Sequence, residues 1–127
     1  MGDKYIVLQE KLVVAANASE EIELHVPFEG NWLIEECWVG VHTTSAANGT
    51  NYCTITVKKG AGGTTIGSIT TASTALTKGT ARQIPLTTAP ASNRMTGQSS
   101  AIELAVTQAA SGVAIDCTVF LGLRAVN

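Results

Sequence analysis

The chain has 127 residues, with 8 basic and 10 acidic side chains, a net charge of −2 and only 14% charged residues, against about 25% in an average soluble domain. That balance removes the electrostatic drive for non-specific nucleic-acid binding, and a 45% hydrophobic content argues against disorder. No apolar run approaches the roughly 20 residues of a membrane helix. A chain of this length buries roughly two thirds of its unfolded surface as one domain, so neither a disulfide staple nor a metal is needed. Seventeen threonines, together with Val and Ile, favour strands over helices.

The opening Met1-Gly2-Asp3-Lys4-Tyr5-Ile6 has no apolar signal region, and Ile6 stands where a myristoylation signal needs Ser or Thr. The expectation is a soluble protein made in a cytoplasm. Residues 1–10 read as an N-terminal arm, and residues 11–127 as a single folded domain. A weak strand is expected over Lys11–Ala16. Ile22, Leu24 and Val26 then alternate with Glu21, Glu23 and His25 up to Pro27. Trp32–His42 reads as a strand, and Cys53, Ile55 and Val57 alternate with Tyr52, Thr54, Thr56 and Lys58. Weaker strands follow at Thr64–Thr70 and Ala81–Leu86. Ile102, Leu104 and Val106 alternate with Glu103, Ala105 and Thr107; Ile115 to Leu123 alternates with Asp116 to Arg124.

This period of two is the pattern of half-buried antiparallel strands. Asn48-Gly49 predicts a type I′ turn between His42 and Cys53, and Gly62-Gly63 a second hairpin. Lys78-Gly79, Gly97 and Ser111-Gly112 mark further turns. About eight strands at this spacing predict an all-β protein, a single antiparallel sandwich or barrel. No helical periodicity and no internal repeat is present.

The inventory for chemistry is thin. Cys37, Cys53 and Cys117 lie in apolar strand patterns without a C-x-x-C spacing, so they read as buried thiols. Cys37 and His42 have opposite parity on one strand and leave opposite faces, which argues against a shared metal. A nucleophilic triad would have to use His25, at a solvated strand position, or His42, a strand-end residue before the polar loop Thr43–Asn51, and no G-x-S-x-G elbow exists. Gly60-Ala61-Gly62-Gly63-Thr64 lacks the Lys-Ser/Thr ending and the following helix of a phosphate loop. Asn17-Ala18-Ser19 and Asn48-Gly49-Thr50 match the glycosylation acceptor pattern, with no secretion signal to support them. Glu35 and Glu36 are adjacent and so point to opposite faces of a strand, unless a bulge or subunit contact turns one inward. The chain therefore reads as no enzyme, with no cofactor and no metal.

Trp32, Ile34 and Trp38 share one parity, with the two rings roughly 20 Å apart. Leu33, Cys37, Val39 and Val41 make the other parity apolar as well. A strand apolar on both faces must be covered on both. The second cover is either a loop or arm of the same chain or a subunit interface, for which Trp32, Ile34, Glu36 and Trp38 are the candidates. Charge is also uneven: residues 1–42 carry eight acids and two bases, and residues 43–127 two acids and six bases. The fold either mixes these charges or leaves opposed patches that favour self-association.

A further signal lies in the second half. Ala75-Leu76-Thr77-Lys78-Gly79-Thr80-Ala81, Ile84-Pro85-Leu86, Arg94-Met95-Thr96-Gly97-Gln98, then Ile102–Thr107 and Cys117–Phe120, follow one another in a cadence that resembles the small decoration (cement) proteins of tailed-bacteriophage heads. Gln98-Ser99-Ser100 departs from the acidic residue common after the Gly in that family. The resemblance implies a jelly-roll-like sandwich with an N-terminal arm. It also implies a non-enzymatic virion protein that is made in the host cytoplasm and binds the exterior of the capsid. Its partners would be the major capsid protein and itself, as a homotrimer, and neither nucleic acid nor membrane. Lys4, Tyr5, Ile6 and Leu8 of the arm would be the capsid contacts. The rival expectations are a phage fibre or receptor-binding tip, and a carbohydrate- or peptide-binding sandwich.

Overall fold

The alternating segments form strands that close on each other in a computed structural model describing residues 4–26, 30–60, 63–87, 94–96 and 101–126. Among the described residues there are nine: β1 (Tyr5–Val14), β2 (Glu20–His25), β3 (Asn31–Thr43), β4 (Tyr52–Lys59), β5 (Thr64–Thr70), β6 (Ala81–Gln83), β7 (Arg94–Thr96), β8 (Ala101–Ala109) and β9 (Ile115–Val126). One sheet, here sheet A, runs β1-β9-β3-β6, with β7 also paired to β3; sheet B runs β2-β8-β4-β5. Short β6 and β7 pair with different stretches of β3, Trp38–Gly40 and Asn31–Leu33, so sheet A is four strands wide at either level. All pairings are antiparallel, and the chain crosses repeatedly between the sheets, which is the strand order of a jelly roll. The expected all-β sandwich is what forms.

Inward side chains of both sheets meet in one core that includes Leu12, Trp32, Ile34, Ile55, Ile66, Leu104, Leu121 and Leu123. Three sequence expectations change. Residues 5–10 are not an arm: Tyr5–Val14 pairs without interruption against β9, and Ile6 and Leu8 pack on the core. The run Tyr5-Ile6-Val7-Leu8 lacks alternation because both of its faces are apolar. The expected arm residues 1–3 lie outside the described residues. Asn48-Gly49 does not close a hairpin, since β3 and β4 belong to different sheets. Neither residue has a positive φ, and the Asn48 side chain instead accepts bonds from the Thr50 and Asn51 N–H groups. The expected strand Ala81–Leu86 pairs with sheet A through Gln83, with a last bond from the Ile84 N–H to the Cys37 carbonyl. The chain then crosses to sheet B, where Leu86 bridges Gly67 and the Thr87 N–H reaches the Ile66 carbonyl.

That crossing depends on Gly67. A Cβ there would stand 2.7 Å from the Pro85 carbonyl and 2.9 Å from Leu86 Cδ2. We expect Gly67→Val to cost roughly 1–3 kcal/mol by overpacking, read as a lower denaturant midpoint with an unchanged slope.

The three cysteines are buried as free thiols. Burial pushes the Cys37 and Cys117 thiols up from an ordinary 9.0 to about 12. Folding therefore favours the protonated form, and the stability this contributes is intact below pH 9 and lost as pH rises toward 12. The denaturant midpoint should fall across that window, and less steeply in Cys37→Ala.

Candidate docking face

The outward surface of sheet A is set by an irregularity in β3. Its register against β9 shifts between Ile34 and Glu36, which inserts one extra residue and reverses the side-chain phase. Trp32 and Ile34 point into the core before the shift, and Cys37, Val39 and Val41 after it. Glu35, Glu36 and Trp38 are left outside. This removes the paradox of a strand apolar on both faces. It also corrects the expected subunit interface: Trp32 is 2% and Ile34 0% exposed, so neither is available to a partner, while Glu36 and Trp38 are.

The register places the outward residues in rows. Tyr5, Arg124 and Leu33 form one row; Val7, Gly122 and Glu36 the next; Gln9, Phe120, Trp38 and Gln83 a third. Two glycines act as seats for rings, Gly122 in the second row and Gly40 in the next row beyond the third, opposite Thr118. A Cβ on Gly122 would overlap the Tyr5 hydroxyl, and one on Gly40 would come within 3.2 Å of the Phe120 ring. Tyr5 thus lies across β9 with its hydroxyl hydrogen-bonded to Glu36. On the other side, Trp38 Nε1 donates to Glu36 Oε1 at 3.2 Å. Glu36 therefore ties together two aromatic side chains from strands that are not neighbours. Its companion Glu35 is ion-paired with Arg124. Loss of hydration, then the charges of Glu36 and Glu35, then the bond to Glu36 raise the Tyr5 pKa.

Among the described residues, the large apolar side chains left exposed are Tyr5, Val7, Val13 and Trp38. All four lie on this face. Beside it, an open groove of about 590 Å³ runs between residues 33–36 of β3 and residues 83–87, where β3 lies between its pairings with β6 and β7. The far end of the face is polar: His42 Nε2 lies 2.8 Å from Thr118 Oγ1, and Thr43 Oγ1 donates to Asp116 Oδ2 at 3.1 Å. This His–Thr pair stands on an open sheet surface, and among the described residues no group of three His, Cys, Asp or Glu side chains is placed to hold a metal.

The other sequence candidates fall elsewhere. Tyr5 belongs to the face, whereas Ile6 and Leu8 point to the core and Lys4 precedes β1, its carbonyl accepting from the Ala125 N–H. His25 is exposed on β2 beside Glu23, 3.9 Å away. The two charge-rich regions partly mix, as the Glu35–Arg124 pair shows, while β2 keeps exposed Glu20, Glu21 and Glu23. Sequence reading missed Val7, Val13 and Phe120. Their signal was an apolar residue standing at a polar-phase position, as Phe120 does between Thr118 and Gly122.

Comparison with protein-family models, with curated proteins and with solved structures finds no match.

Replacing Glu36 with Gln should lower the Tyr5 pKa without returning it to the ordinary value, because the loss of hydration and the Glu35 charge persist. An ultraviolet titration of wild type and E36Q, each in a Tyr52→Phe background, reads this directly; identical curves would separate Glu36 from Tyr5.

Proposed function

We propose that the protein binds rather than catalyses, and that the outer face of sheet A is its working surface. The observation that carries this is the confinement of Tyr5, Val7, Val13 and Trp38 to one face, with Phe120 half-buried among them. Aromatic side chains supply large contact areas at low entropic cost, and here two are already immobilised by glycine seats and by Glu36.

In particular, we propose a decoration protein of a bacteriophage head, attached to the exterior of the capsid. The support is the resemblance of roughly residues 53–124 to that family, together with the jelly-roll strand order, which viral capsid domains share with lectins and is an argument by analogy. The Leu76–Thr80 part of the resemblance is a turn in which Gly79 has φ 80° and the Thr80 N–H bonds the Thr77 carbonyl. With β1 part of the sheet, the contact is made by a rigid face and not by a free arm. A protein that binds only the assembled shell stabilises it by mass action, in proportion to occupancy.

Trp38→Glu places a charge in the centre of the face and should weaken binding to purified capsids by roughly thirtyfold or more, the loss of an aromatic hot spot. Co-sedimentation measures it, with circular dichroism to establish that the sandwich persists. Undiminished binding by a folded W38E removes this face from the contact. Sugar-dependent quenching of tryptophan fluorescence, with no capsid binding, would favour the carbohydrate-binding reading instead.

A further inference from the structure

A β-sandwich has sheet edges whose main-chain N–H and C=O groups can recruit further strands, and such edges need protection. In this molecule they are treated unequally. The β3 side of sheet A carries β6 and β7. The β5 edge of sheet B is crossed by the chain at Leu86 and Thr87, through the bridge to Gly67 and the bond to the Ile66 carbonyl. The β2 edge is six residues long and bears exposed Glu20, Glu21 and Glu23. The remaining edge, β1, is ten residues long, has no proline and no register shift, and among the described residues pairs only with β9.

The hydrogen-bonding phase of β1 follows from one contact. The Ala125 N–H donates to the Lys4 carbonyl at 2.8 Å, one step beyond the Tyr5–Arg124 pair. Bonded and non-bonded pairs alternate along an antiparallel ladder. Even-numbered residues of β1 therefore bond β9, and the N–H and C=O groups of Tyr5, Val7, Gln9, Lys11 and Val13 point away from the sheet. These five residues also carry the exposed side chains of the strand.

We propose that β1 pairs antiparallel with β1 of a second copy of this chain, about a two-fold axis at Gln9. The strand's own charges disfavour the registers on one side of this axis, and axes at Leu8 or Val7, on the other side, leave fewer bonded pairs. An axis at Glu10 sets that carboxylate against its copy, and an axis at Lys11 sets two ammonium groups together; like charges directly opposed are destabilising. An axis at Gln9 opposes two amides, each of which can donate and accept. It also sets Tyr5 against the partner's Val13, so two of the exposed apolar side chains cover each other. Val7 faces Lys11 of the partner subunit, and Leu8 on the inner face meets the partner's Glu10. The five outward-pointing residues of each strand then form five bonded pairs, about ten main-chain hydrogen bonds. The result is one continuous sheet across the pair, with the proposed docking faces of both copies on the same side. The inference is independent of what that face binds.

The test uses the full chain in analytical ultracentrifugation over a concentration series, since a single-strand interface lies at the small, weak end of the size range. A species of twice 13.2 kDa is expected. Val7 is 58% exposed, so charges placed there leave the core intact. Val7→Lys sets two lysines in opposition and should raise the dimer dissociation constant about fivefold or more, while Val7→Glu, facing Lys11, should hold or lower it. Gln9→Cys should form an intermolecular disulfide under mild oxidation, because bonded pairs lie about 5.5 Å apart, whereas the native thiols are buried. A monomer throughout, a trimer, equal effects of V7K and V7E, or cross-linking through Glu10→Cys or Lys11→Cys in place of Q9C would each overturn the proposal.

Discussion

The extra residue in β3 near Glu35 is the constraint on which the other parts depend. β3 is the longest strand and lies inside sheet A, so its phase decides what both layers can bury. Without the shift, either Trp32 and Ile34 or Cys37, Val39 and Val41 would face outward. Each large apolar side chain so displaced forfeits about 1.5–3 kcal/mol, and a domain's whole stability is only about 5–15 kcal/mol. A regular strand with this sequence would therefore consume most of the margin that holds the sandwich together. The bulge is tolerated because its two exposed residues are glutamates, which gain from standing in water.

The same irregularity builds the outer face. By turning Glu36 and Trp38 outward together, it brings a carboxylate and an indole N–H within bonding distance across two residues of one strand. Gly122 on β9 then leaves the space through which Tyr5 reaches Glu36 from β1. Core formation and site formation are thus a single event. A sequence that lacked Glu35 would alternate strictly and keep Glu36 opposite Gly122, but it would lose the ion pair to Arg124.

How much of this could be read from the sequence depended on whether a residue's neighbours lay along the chain or across it. β2, β4, β8 and β9 were visible because their alternation is local; in β8 it shows in the sequence although Glu103 and Ala105 of its polar phase are themselves buried. β1 was hidden, since Tyr5-Ile6-Val7-Leu8 does not alternate, and it shows as a strand only once β9 lies beside it. Asn48-Gly49 has the composition of a tight hairpin, yet the strands it joins diverge into different sheets, a fact that no local residue encodes. In the site, Trp38 and Glu36 were found and Trp32 and Ile34 were misassigned with them, because strict parity was carried through a bulge. The two adjacent glutamates were the only trace of it. The role of Gly122 as a seat for a ring from another strand had no trace at all.

The segment that leaves sheet A at Gln83 and joins sheet B at Leu86 gives the sandwich a mechanical polarity. Along that margin the two layers are bound by main-chain hydrogen bonds to a common strip of chain, as the leaves of a book are bound at the spine. The opposite margin, between β1 and β2, is joined at one corner by the short connection after Val14, where the Gln108 amide also reaches the Ala15 carbonyl. Forces that pry the layers apart would be resisted at the spine and felt first at the fore-edge.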